Sequence, residues 1–154
     1  MKLHFLCPHH RQWLADNPHH ALNTWLQSHD KAAELFEDGD WNNALSHAGC
    51  ALETAEIALE AWPDPPPRII NRYADNGVLL AQLLRERGDQ AATRAVIANC
   101  IGRLERLMFA TGNHRTVLKA CEGLLRIGDA TGWPESSLTD ATHQSTHLLH
   151  QQLH

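Results

Sequence analysis

Leu35-Phe36-Glu37-Asp38-Gly39-Asp40 decides how the chain is read: an apolar pair, a few polar residues, then Gly-Asp. The phrase returns as Leu83-Leu84-Arg85-Glu86-Arg87-Gly88-Asp89 and again as Leu124-Leu125-Arg126-Ile127-Gly128-Asp129. Glycine closes a helix because it enters the left-handed region without a Cβ penalty. An aspartate directly after it can accept the free N–H groups that open the next helix. Three such joints punctuate antiparallel helix pairs.

The flanking residues agree. Asn17-Pro18 opens a helix with Asn as N-cap and Pro at the first position, and Leu22, Trp25, Leu26, His29, Ala32, Ala33 and Phe36 then recur at helical spacing up to Gly39. Asp40 caps the next helix, whose apolar face is Trp41, Ala44, Leu45, Ala48, Leu52, Ala55, Leu59 and Trp62. Pro63-Asp64-Pro65-Pro66-Pro67 stops it and reads as a stiff connector inside one domain. A third helix runs from about Pro67 to Arg87 through Ile70, Tyr73, Ala74, Val78, Ala81 and Leu84. A fourth runs from Asp89 to about Phe109 through Ala92, Ala95, Val96, Ile101, Leu104 and Met108. After a turn at 110–113 a shorter helix carries Val117, Leu118, Cys121, Leu124 and Leu125; Gly128 to Trp133 reads as a loop, and Pro134 starts the last helix. Residues 1–16 are a lead-in in which Trp13 and Leu14 belong to a short helical turn. No segment alternates as a strand would. The expectation is an all-α protein, one domain over residues 1–154, with six main helices paired as 18–62, 67–109 and 114–154.

Composition narrows the function classes. With 154 residues, 43% apolar and 20% charged, the chain has one domain's length and can build a core without staples. No apolar run reaches ~18 residues, so no membrane span is expected. The patch Leu3-His4-Phe5-Leu6 is too short and too interrupted for a signal segment, and a cytoplasmic location is expected. The four cysteines form no CxxC pair; Cys50, Cys100 and Cys121 read as small core residues on helices, and Cys7 lies outside the periodic segments. The net charge of −5 is uneven: residues 1–64 carry 3 basic and 10 acidic side chains, residues 65–154 carry 10 and 8. There is no basic stripe of the kind a nucleic-acid partner requires. The second half suits an acidic peptide.

The glycines of the three joints are 49 and 40 residues apart, a recurrence that reads as a helical solenoid. The first unit resembles a tetratricopeptide (TPR) repeat through Ala32, Leu35, Gly39-Asp40-Trp41, Ala44, Ala48, Ala51 and Leu52. The second resembles it less fully, through Ala81, Leu84, Gly88-Asp89, Ile97, Cys100 and Ile101, and the third keeps Leu125 and Gly128-Asp129. The period exceeds the family's 34 residues, Ala32 and Ala81 stand where a small Gly is usual, and Leu35 and Leu84 stand where an aromatic is usual. The resemblance implies a short TPR-like solenoid of stacked antiparallel pairs. It also implies a non-catalytic protein–protein interaction module, adaptor or chaperone-like, that holds a peptide or protein segment in a groove lined by the first helix of each pair. The polar positions of those helices are the candidates for partner binding: Asn23, Gln27, Lys31, Asn71, Asp75 and Gln82.

Twelve histidines invite a second reading, metal binding or sensing. His143, His147, His150 and His154 fall in one narrow stripe at ~100° per residue and could share Zn²⁺ or another divalent transition metal. The residue after His143 is Gln144, so the Glu base of the zinc-protease helix motif is absent. No other cofactor is expected. No nucleophile elbow, phosphate loop or dinucleotide fingerprint occurs, so enzymatic activity is not expected. The five Trp suggest a self-association surface, and a homodimer is the assembly that would use it.

Overall fold

The computed structural model describes residues 4–129. Six helices follow one another: α1 Pro8–Asp16, α2 Pro18–Glu37, α3 Trp41–Glu60, α4 Pro67–Glu86, α5 Gln90–Ala110 and α6 His114–Asp129. There is no strand among the described residues. The expected helix from Pro134 to the C-terminus lies outside the described residues. Five of the expected main helices are present, and the lead-in supplies the sixth of those described.

Two of the three Gly-Asp phrases are the joints foreseen, and both close in the same way. Gly39 and Gly88 have φ of 78° and 76°. At the first, Gly39 N–H donates to Phe36 O (3.1 Å) and Asp40 N–H to Leu35 O (2.9 Å); at the second, Gly88 N–H donates to Arg85 O (2.8 Å) and Asp89 N–H to Leu84 O (3.0 Å). This is the Schellman pattern, which satisfies the last carbonyls of the outgoing helix. The aspartate then turns to the incoming helix. The Asp40 side chain accepts from Asn43 N–H (3.4 Å) and the Asp89 side chain from Ala92 N–H (3.0 Å). One residue thus ends one helix with its backbone and starts the next with its carboxylate. The third phrase behaves differently. α6 continues through Gly128 to Asp129, so Gly128 is a buried helical residue and not a left-handed joint.

The lead-in is more ordered than a single turn. Pro8 at the first position fixes a helical φ, and the Cys7 Sγ accepts from His10 N–H (3.4 Å) as the cap. Cys7 therefore has a place: it is the exposed N-cap of α1. Asn17 sits at the N-cap of α2, but its side chain donates backward to Trp13 O (2.8 Å) and makes no capping bond.

Helices α2 and α3 pack along one another, and α3 and α5 both pack on α4, which also meets α6. α4 is therefore the middle of the stack, and Ile69, Ile70, Tyr73, Ala74, Leu80, Ala81, Leu83 and Leu84 are buried on it. The first pair reaches the second mainly through α3; α2 touches α4 only locally, where His29 Nδ1 meets Asn76 Oδ1. The proline connector is tied to the α5–α6 turn, because Asn113 Nδ2 donates to both Asp64 Oδ1 and Pro65 O (3.1 Å each). Several residues expected in the core are not there. Trp41 and Trp62 lie at the ends of α3 and are more than one-third exposed, and Leu118 and Leu125 are exposed on α6. Of the three cysteines assigned to the core, only Cys100 is fully buried, while Cys50 and Cys121 are half-buried. No described helix is long and apolar enough to cross a membrane.

Nothing lies near a Cβ built on Gly88, so a side chain there meets only the backbone penalty of a positive φ. Gly88→Ala is expected to lower unfolding stability by about 1 kcal/mol with an unchanged denaturant slope, read by urea unfolding.

Candidate groove between α3 and α5

Helices α3 and α5 both lie on α4 but do not pack on each other. The space between them is a cavity of about 520 Å³. Leu80 of α4, Leu52 of α3 and Val96 of α5 give it an apolar lining; Glu53 and Glu56 of α3 face Asn99, Arg103 and Arg106 of α5. A second cavity of about 330 Å³ continues toward Trp62 and Leu107 and shares Arg103 and Arg106 with the first, so the two are successive stretches of one groove.

The groove walls are joined by charge. Glu53, Glu56 and Glu60 fall on one face of α3. Arg103 reaches across from α5, donating from Nη1 to Glu60 Oε1 (2.7 Å) and placing Nη2 3.5 Å from Glu56 Oε2. From α1, Arg11 donates from Nη1 to Glu53 Oε2 (3.3 Å) and places Nη2 3.8 Å from Glu56 Oε2. Glu56 is therefore shared by two guanidiniums, one from each side. Burial pushes its carboxyl above the usual range, and Arg103 and Arg11 oppose that shift without cancelling it. The Arg103 guanidinium is raised despite its burial, because Glu60 and Glu56 hold it charged.

The end of the groove is closed by the chain itself. Residues 4–6 precede α1 and are not helical. Phe5 N–H donates to Glu53 Oε1 (2.7 Å) and Leu6 N–H to Glu53 Oε2 (3.1 Å), so one carboxylate takes two consecutive backbone donors. The Cys50 thiol donates to Phe5 O (3.8 Å). The Phe5 ring lies on Gly49, so close that a Cβ there would sit 2.2 Å from it. Leu6 is buried with Leu14, Ala21 and Ile57. Glu53 is itself buried, at 7% exposure, and its charge is compensated by these donors and Arg11.

Beneath the groove Tyr73 and Cys100 are both buried. The Tyr73 hydroxyl lies beside the Cys100 thiol without a hydrogen bond of ordinary geometry. Burial pushes the Cys100 thiol up to about 12, so it stays protonated and unreactive at neutral pH.

The residues singled out from the sequence lie elsewhere. Asn23, Gln27 and Lys31 are exposed along α2, with Lys31 paired to Glu34 (3.0 Å). Asn71 and Asp75 are exposed on α4 and Gln82 is half-buried. None of the six lines either cavity. His143, His147, His150 and His154 lie outside the described residues. Among the described residues no three His, Cys, Asp or Glu side chains are grouped to hold a metal ion. Trp13 stands between His10 and His20, with ring centroids 6.1 and 5.0 Å away.

Comparison of the chain with protein-family models, characterised proteins and solved structures returned no match.

Two outcomes test the groove's electrostatics. Glu53→Ala strands two backbone donors and Arg11 at once, and is expected to cost about 3 kcal/mol in denaturant unfolding. Glu56 binds its proton more tightly folded than unfolded, so its contribution to stability is present below the ordinary carboxyl value of 4.5 and is lost as pH rises through the raised value. The stability of the wild type minus that of Glu56→Gln is therefore expected to fall as pH rises through that range, in a pH series of unfolding curves.

Proposed function

We propose that this protein is a non-catalytic interaction module, an adaptor or chaperone-like protein of TPR-like build, that holds an extended protein segment in the groove between α3 and α5. The supporting observation is Glu53. Its carboxylate already receives the N–H groups of two successive residues, so the groove wall binds backbone that is in neither helix nor sheet. Beside it the groove offers what such a ligand needs. Leu80 and Val96 accept apolar side chains, and Arg106, exposed and without an ion-pair partner among the described residues, suits a carboxylate. The TPR-like build rests on the two Schellman joints 49 residues apart and on the antiparallel pairs α2–α3 and α4–α5. The resemblance places the partner on the first helices, along Asn23, Gln27, Lys31, Asn71, Asp75 and Gln82. The cavities favour the second helices instead.

Gly102 lines the groove and has open space where a Cβ would stand, so a large side chain there fills the groove without pressing on the core. Peptides selected on the wild type from a random displayed library are expected to lose tenfold or more in affinity for Gly102→Trp, measured by fluorescence anisotropy. Selected peptides that bind Gly102→Trp as well as wild type, but lose affinity with Asn23→Ala or Asp75→Ala, would place the site on the first-helix face. Selection that yields no binder defeats the interaction reading.

A further inference from the structure

The segment His4-Phe5-Leu6-Cys7 is held as a bound peptide would be, and that makes the α3 wall a site with a visible ligand. Four contacts define it. The backbone of residues 5 and 6 is read by one buried carboxylate, through two consecutive N–H donors. The Phe5 carbonyl takes the Cys50 thiol. The ring of Phe5 fills the space left by Gly49, and Leu6 enters a small apolar cluster of Leu14, Ala21 and Ile57. The Phe5 and Leu6 side chains are packed against the wall; His4 and Cys7 are exposed, with His4 Nδ1 4.0 Å from Glu53 Oε1. His4 and Phe5 also line the open groove, so the segment lies at the mouth of the space assigned above to a partner.

We propose that this wall is an exchangeable peptide site, that its ligand is an extended segment carrying an aromatic–aliphatic pair in the manner of Phe5-Leu6, and that residues 4–7 are its resident competitor. The inference rests on the groove reading and adds to it the chemistry of the partner and the means of its control. The recognition is general in backbone and narrow in side chain. Glu53 accepts N–H groups of any non-proline pair, whereas Gly49 admits a flat ring and the neighbouring cluster one branched aliphatic chain. The resident segment runs directly into α1 at Pro8, so its effective concentration at the site is high, of the millimolar order expected of a short tether. A partner in trans must displace it. Weakening the resident side chain therefore strengthens the partner.

The test uses the full chain and a fluorescein-labelled peptide of residues 1–10, with Cys7→Ser in the probe. Phe5→Ala in the protein removes the resident ring but keeps the wall. It is expected to bind the probe tenfold or more tightly than wild type. Adding Gly49→Ala, which fills the ring's space, is expected to abolish that gain. A folded Phe5→Ala protein that binds the probe no better than wild type overturns the proposal. Should Phe5→Ala unfold, the wild type decides. Excess unlabelled probe on ¹⁵N-labelled protein is expected to move the Phe5 and Leu6 amide signals to free-chain positions, and unmoved signals at the highest probe concentration overturn the exchange. Library peptides that fill the groove, and are blocked by Gly102→Trp, without moving those two amides would overturn the exchange and leave the groove reading standing.

Discussion

A carboxylate inside a helical stack must be surrounded by donors, and Glu53 recruits its donors from outside its own helix. Two come from the backbone ahead of α1 and one from Arg11 on α1. That requirement fixes where the N-terminal segment lies and how α1 sits over α3. Arg11, once placed, also reaches Glu56, and Glu56 in turn meets Arg103 of α5. A run of alternating charges, Glu53, Arg11, Glu56, Arg103 and Glu60, thus ties α1 to α3 through Arg11 and α3 to α5 through Arg103. Apolar contact sets the spacings elsewhere in the stack, where α4 meets α3, α5 and α6 through buried aliphatic side chains.

Local chemistry made the fold legible. Gly39-Asp40 and Gly88-Asp89 each carry the whole instruction for a joint, a residue free to take positive φ followed by a side chain that caps, and the backbone follows it in both places. Gly128-Asp129 shows the limit of that reading. The same two residues within α6 stay helical, since glycine permits a left-handed turn without imposing one. α1 is less legible for the opposite reason. Its Pro8 is the same signal as Pro18, but its cap is a thiol, which is not among the residues that announce a helix start.

The groove is not legible in the sequence, because it is made by two helices whose backbones do not pack on each other and that meet only through long charged side chains. Periodicity tells which face of a helix is apolar. It is silent on whether a neighbour covers that face or leaves it at an angle. Glu53 sits among the small apolar residues of α3 and reads locally as one polar exception; its meaning depends on Phe5 and Leu6, 48 and 47 residues away. Leu118 and Leu125 illustrate the same gap from the other side. They repeat at helical spacing with Leu124 and Val117, yet only the latter two are buried, because α4 and α5 cover one face of α6 and not the other.

Charged walls also explain why the groove stays open. Two helices lined with Leu and Ala would close on one another to bury apolar surface. Glu56 and Arg103 are already paired across the gap, and closing the walls further would strip the remaining water from that pair and from Arg106, a loss that ion pairing recovers only in part. The long Arg103 side chain spans the distance that backbone packing does not. A cavity held in this way is poorly suited to a small apolar molecule, which would have to displace water from ionised groups without replacing its hydrogen bonds. An extended polypeptide replaces them, because each of its residues brings a donor, an acceptor and a side chain in regular order. The contacts that Phe5 and Leu6 make with Glu53 and Gly49 are one instance of that exchange, made by the chain with itself.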